Sequence, residues 1–192
     1  MMDKKEKIIQ SAIQVFQEKG VEKSKVSDIV RRAGIAQGTF YLYFPSRLAV
    51  MPDIASFIVG EILQTLEEKI DQNQAFERQL EQLVNAVFTL TDEKRDLVAL
   101  LYAGLAQTEY IKQWEDIYAP YYKWMAEFLR QAQQLQNIRP TINVERTAKL
   151  MIALIETTSE QLYLYDDCQE EEINLQKKEL LQFMHHALIL PR

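Results

Sequence analysis

The sequence predicts an all-α protein in two parts, a small three-helix head and a larger helical body, with about nine helices in all. Three observations carry this. Glycine is scarce and concentrated early, with Gly20, Gly34 and Gly38 supplying three of the five in the chain. Downstream the chain has few helix breakers, and its apolar residues recur at three- and four-residue spacing, the period of an α-helix. Charge then divides the chain: residues 1–47 hold nine Lys/Arg and five Asp/Glu, whereas residues 48–192 hold thirteen and twenty-three. A basic head on an acidic body points to a polyanionic partner at one end.

Each element has its own signal. Ile9, Ile13 and Phe16, flanked by Ile8, Ala12 and Val15, predict a first helix over 4–19, and Gly20 stands where such a helix stops. Ser24 is placed to N-cap a second helix whose Val26, Ile29, Val30 and Ala33 form one apolar stripe. Gly34 ends it, Ile35 anchors inward, and a short third helix covers 36–43. Ser46 is placed to cap a fourth helix that reaches about residue 70, with Leu48, Met51, Ala55, Ile58, Ile62 and Leu66 turned inward. Pro52 removes a backbone hydrogen bond there, which predicts a bend over 48–52. Further segments follow at 74–91, 95–106, 108–136, 144–165 (capped by Asn143) and 170–189. Pro120 either kinks the third of these or separates two abutting helices. Because the fourth helix runs across the charge boundary, the two parts, residues 3–63 and 64–192, are expected to be coupled mechanically.

At 26% charged and 47% hydrophobic residues, the composition is that of an ordinary globular protein. No apolar run approaches the roughly 18–20 residues a membrane span needs, and MMDKKEKIIQSAIQ is too polar for a secretory signal. A cytoplasmic protein with no membrane partner is expected. Cys168 is the sole cysteine, which excludes an intrachain disulfide and a cysteine metal cluster. The acidic residues around it, Asp166, Asp167 and Glu170–Glu172, lack the spaced loop ligands of a cation site. Adjacent His185 and His186 point in different directions instead of chelating one ion. With no glycine-rich phosphate loop either, no catalytic residue, metal or cofactor is expected, and an enzyme is disfavoured.

Segments two and three are short helices joined by Ala33-Gly34-Ile35-Ala36, the spacing of a helix-turn-helix. In that unit the second helix enters the DNA major groove while the first crosses the backbone. Phe40 and Phe44, four apart, share one face and pack inward. Gln37 is left to pair with an adenine edge, and Thr39 to touch a thymine methyl or a phosphate. Gly38 allows close backbone approach, while Tyr41 and Tyr43 offer hydroxyls to phosphate oxygens. Arg47 is placed to neutralise a phosphate, and Lys25 and Ser27 to meet the backbone from the second helix.

The stretch GVEKSKVSDIVRRAGIAQGTFYLYFPSR resembles the helix-turn-helix of the TetR/AcrR family of bacterial transcriptional regulators. That family's pattern runs Val-x-x-Ile-Ala-x-x-Ala-Gly-Val-Ser-x-Gly-Thr-Phe-Tyr-x-Tyr-Phe-x-x-Lys, and the close match spans about residues 8–50. Val30 stands where the pattern has Ala, Ala36 where it has a capping Ser, and Arg47 where it has Lys. The resemblance implies a homodimer formed by the last two long helices, acting on a palindromic double-stranded operator and released from it by a small lipophilic or aromatic effector. Two stripes are compatible with that interface: Ala148, Ile152, Ile155, Ser159 and Leu162, and Leu180, Met184, Ala187 and Leu188.

The central helices are richer in aromatics than a helical core requires, and phenol and indole groups suit a binding pocket. Tyr102, Trp114, Tyr118, Tyr121, Trp124, Met125 and Glu156 are the expected effector contacts, with Tyr122, Phe128 and Glu109 nearby in sequence. A ligand-released repressor is the leading expectation. A helical small-molecule-binding protein without a DNA role, and an activator built like these regulators, stand as alternatives.

Overall fold

The first helix, α1 (Lys4–Lys19), begins in a capping box: the Asp3 side chain accepts from the Lys4 N–H at 2.6 Å, and Glu6 accepts from the Asp3 N–H at 3.1 Å. The computed structural model describes residues 3–105, 113–166 and 168–189, and the side chains among them except those of 101–105. Along these residues run α2 (Val26–Ala33), α3 (Gln37–Tyr43), α4 (Met51–Lys69), α5 (Phe76–Glu93), α6 (Arg95–Leu105), α7 (Trp114–Gln134), α8 (Val144–Glu160) and α9 (Glu170–Leu188). The helices pack as two compact units, Met1–Ile58 with Asp96–Ile117, and Val59–Arg95 with Tyr118–Arg192. The units interleave along the chain, whereas the sequence-based division falls once, at 63/64.

In the first unit α1 packs on α2 and α2 on α3. The buried face of α1 is Ile8, Ala12, Ile13, Val15 and Phe16, and Ile29 and Val30 of α2 and Phe40 of α3 are buried with it in the head. Ser24 differs from its expected capping role. It is buried, and its hydroxyl donates to the Gly20 carbonyl at 2.6 Å, so Lys25 occupies the N-cap position instead. Asp28 accepts the Lys25 N–H at 3.1 Å and so closes that helix start from within α2. Ser46 likewise makes no side-chain cap bond.

Arg47–Val50 form a 3-10 turn ahead of α4, which places Pro52 in the first α-helical turn. There its missing N–H is one the helix would leave unbonded anyway. The expected bend is thus a change of helix type at residue 50. Residues 47–69 are long and apolar enough, by length and composition alone, to cross a membrane, which corrects the expectation of no such run. Met51, Ile54, Ala55, Ile58, Val59, Ile62 and Leu66 of this stretch are buried in protein.

In the second unit α5 packs against α8 and α9, and α8 against α9. Phe76 and Phe128 meet at 5.5 Å between ring centroids, and Trp124 stacks on Phe128 at 5.7 Å. Buried Thr91 and Ser159 share a hydrogen bond of 3.1 Å, which satisfies both hydroxyls between α5 and α8. Pro120 lies inside α7, a single helix from Trp114; the part of the predicted segment over 108–112 falls outside the described residues. Asn143 caps α8 as expected, accepting the Arg146 N–H at 2.9 Å. Beyond Glu160 the helix widens into a π turn over Gln161–Tyr165, closed by the Asp166 N–H on the Gln161 carbonyl at 3.0 Å.

The stripes expected at a dimer interface need correcting. Ala148, Ile152, Ile155, Ser159 and Leu162 are all buried within the protomer, as are Leu180, Met184 and Leu188; Ala187 is exposed. Periodicity identified apolar faces correctly, but the chain's own core covers them. The apolar side chains left exposed on these helices are others: Leu150 on α8, and Leu175 and Phe183 on α9.

Candidate nucleic-acid interface and effector-binding residues

The turn into α3 depends on Gly34, whose left-handed φ of 65° and ψ of 36° let the chain reverse while the Ile35 N–H bonds the Val30 carbonyl at 3.1 Å. From that turn α3 projects with two faces. Phe40 and Phe44 are 0% and 2% exposed, with ring centroids 5.6 Å apart, and they fix the helix to the head. Burying one such ring stabilises by roughly 2–3 kcal/mol, ample to fix a seven-residue helix that has no side-chain cap at Ala36.

The opposite face is open. Gln37 and Gly38 are exposed, Thr39 is half-buried, and Tyr41 and Tyr43 are 49% and 39% exposed. Leu42 is 83% exposed, and sequence reasoning passed it over. An apolar residue beside two phenylalanines reads as core by pattern. The signal was its phase: at five residues from Gln37 and two from Phe44, it falls away from the Phe40–Phe44 stripe.

Lys25 and Ser27 are exposed at the start of α2. Arg47 reaches the same end of the head: its Nη1 donates to the Val21 and Ser24 carbonyls, the latter at 2.8 Å. The guanidinium thus braces the α1–α2 loop one residue from Lys25. Three further head cations are engaged with acids within the head. Lys19 and Arg31 pair with Asp28 at 2.8 and 2.6 Å, and Arg32 with Glu18 at 2.5 Å. The Lys19 hydrogen bond, then the Lys25 N–H and the charge of Arg31, hold the Asp28 carboxyl below its usual range.

The expected effector residues fall in both units. Trp114 belongs to the first, the Tyr102 side chain and Glu109 lie outside the described residues, and the rest share the second unit. Met125 and Tyr121 are fully buried, and Trp124 is half-buried on Phe128. Tyr118 donates to Glu156 Oε1 at 3.5 Å, and the Tyr118 and Tyr121 rings lie 6.3 Å apart. Burial, and next the charge of Glu160, push the Glu156 carboxyl up to about 8, against a smaller lowering by Tyr118. The buried Tyr121 hydroxyl has no hydrogen-bond partner, and burial followed by the Glu156 charge drives its ionisation well upward. Tyr118, Tyr121 and Glu156 therefore form a polar cluster set in an aromatic wall. A groove of about 520 Å³ along α5 and α9, which includes Leu80, Lys177, Leu181 and His185, contains none of the expected effector residues.

A helix-turn-helix that hides its phenylalanines and shows amide, hydroxyl and phenol groups, joined to a helical body, is the build of a DNA-binding regulator. Residues 8–54 match the family "Bacterial regulatory proteins, tetR family", and residues 80–188 match "Tetracyclin repressor-like, C-terminal domain". Over 185 residues the chain is 38% identical to the uncharacterized HTH-type transcriptional regulator YvdT of Bacillus subtilis (strain 168), covering 96% of this chain and 95% of that one. The chain belongs to the tetR family of bacterial transcriptional regulators and is a DNA-binding protein, not an enzyme. Its fold is similar to that of the regulator FadR from Bacillus subtilis in complex with stearoyl-CoA, with a TM-score of 0.74 and 22% identity over 93% of this chain and 96% of that one. A Thermus thermophilus FadR, described as a TetR family repressor in complex with lauroyl-CoA, superposes with a TM-score of 0.75 at 17% identity over 98% and 96% of the two chains.

Proposed function

We propose that the protein is a cytoplasmic, homodimeric repressor that a small lipophilic or aromatic effector releases from a palindromic operator. The observation that carries the reading is the two-faced α3, with Phe40 and Phe44 inward and Tyr41 and Tyr43 outward. In the complex Gln37 and Thr39 address base edges, Gly38 permits close approach, and Tyr41 and Tyr43 bond phosphates. Lys25, Ser27 and Arg47 meet the backbone beside them. Residues 3–63 act as the DNA-binding part and 64–192 as the effector-binding and dimerisation part.

Dimerisation through α8 and α9 uses the outward residues Leu150, Leu175 and Phe183, whose exposure in the single chain supports a covered state in the dimer. The effector meets Tyr118, Tyr121, Trp124, Met125 and Glu156. The acyl-CoA complexes of the two FadR proteins support a lipophilic ligand, and the polar cluster at Glu156 suits one polar group upon it. The effector stabilises an arrangement of α4 in which paired heads no longer match half-sites about 34 Å, or a multiple, apart.

A gel shift with duplex DNA from upstream of the protein's own gene tests this reading. Binding at low salt is expected, with a log–log salt slope that flattens by about 0.9 in Lys25→Ala for one lost phosphate contact. No shift of any upstream duplex at low salt contradicts the reading.

A further inference from the structure

We propose that Leu42 reads a thymine methyl group and is a specificity-determining residue of the head. The inference rests on the DNA-reading role of α3 given above and deepens it. Leu42 is 83% exposed, the most exposed large apolar side chain among the described residues of the head. It lies four residues after Gly38 and three after Thr39, the spacings that bring side chains onto one helix face. A Cβ built on Gly38 meets no atom within 4 Å, so the backbone there is bare and its surroundings open. The result is a strip of bare backbone, a half-buried threonine and an isobutyl tip. It runs between Gln37 and Tyr41, four residues apart on one side, and the phenol of Tyr43 on the other.

The isobutyl tip of Leu42, set in the middle of this polar face, gains nothing from phosphate, sugar hydroxyl or the polar base edges. In the major groove the one apolar group a base pair presents is the C5 methyl of thymine. The bare backbone at Gly38 allows the close approach such a contact needs, and Leu42 then covers the methyl and excludes water from it. The basic balance of residues 1–47 attracts a polyanion to the head as a whole.

The test uses the full-length chain, a duplex site selected by it from a random pool, and copies of that site with each thymine replaced in turn by deoxyuridine. That replacement removes one methyl and nothing else. At one thymine per half-site, wild type is expected to lose about fourfold in affinity, the worth of one buried carbon. Leu42→Ala is expected to bind the thymine site more weakly and to show no loss at that position, while Leu42→Met retains it. Exposure of Leu42 predicts unchanged melting for both variants, which circular dichroism checks. A wild type indifferent to every uracil overturns the inference, as does a Leu42→Ala profile that keeps the wild-type sensitivity. A pool from which wild type selects no sequence overturns the DNA-reading role itself.

Discussion

Head and body both contain clustered aromatics, yet they dispose of them in opposite ways. On α3 the rings without hydroxyls are inside and the phenols of Tyr41 and Tyr43 are outside, where water or a polyanion can bond them. On α7 the phenols themselves go inside: Tyr118 is 6% exposed and Tyr121 0%, and the Tyr121 hydroxyl is left unbonded. The first arrangement is that of a surface built to touch something polar. The second leaves the Tyr121 hydroxyl unsatisfied in the interior, at a cost of about 1–3 kcal/mol. The contrast teaches that similar aromatic content serves opposite ends: phenols offered to solvent in one unit, and phenols enclosed with a carboxyl in the other.

The largest effect that breaks this contrast is in the head. Phe40→Ala removes a fully buried ring and is expected to destabilise by about 3–5 kcal/mol, enough to unfold the head and abolish DNA binding together. Urea melts of the variant measure it. Stability retained within about 1 kcal/mol, the scale of a surface substitution, would place the ring outside the core.

Next is the half-buried acid of α8. Glu156 has a folded pKa of about 8 against 4.5 in the open chain, so the native state holds its proton more tightly than the unfolded state. Its contribution is full below about pH 4.5 and is lost as pH rises towards 8. Glu156→Gln, which cannot ionise, is expected to melt above wild type at pH 8 and level with it at pH 4. Equal melting of the two at both values would falsify the enclosed carboxyl.

A smaller effect sharpens the comparison at the turn. Gly34→Ala forces a Cβ into left-handed backbone and is expected to cost about 1–2 kcal/mol in a thermal melt, although no atom stands within 4 Å of the new carbon. A neutral result would mean that the chain relaxes out of that conformation without loss.

Much of the architecture was legible because helices declare themselves locally. The predicted spans 4–19, 36–43 and 170–189 fall within a residue of α1, α3 and α9, since apolar phase and glycine stops both act over a few residues. What failed was the choice of partner. Ser24 and Ser46 carry capping chemistry, but the Ser24 hydroxyl found the Gly20 carbonyl, a contact that only the folded loop creates. The stripe from Ala148 to Leu162 was apolar as read, but periodicity does not say whether α5 or a second chain covers it. The charge balance already counted Asp28 and Glu18, but which cations they engage, Lys19, Arg31 and Arg32, only the fold decides. At the candidate site, Phe40, Phe44 and the outward phenols were readable from helical phase alone. Leu42 was hidden by its own hydrophobicity.

The central claim is that the outward face of α3 contacts DNA while the inward face holds the head together. Tyr41→Ala tests it most directly, with DNA affinity by fluorescence anisotropy and thermal melting read on the same sample. The expected result is an affinity at least about tenfold weaker, or about 1.4 kcal/mol, with the melting temperature unchanged. Unchanged affinity, or a loss of affinity that only follows a fall in melting temperature, would contradict it.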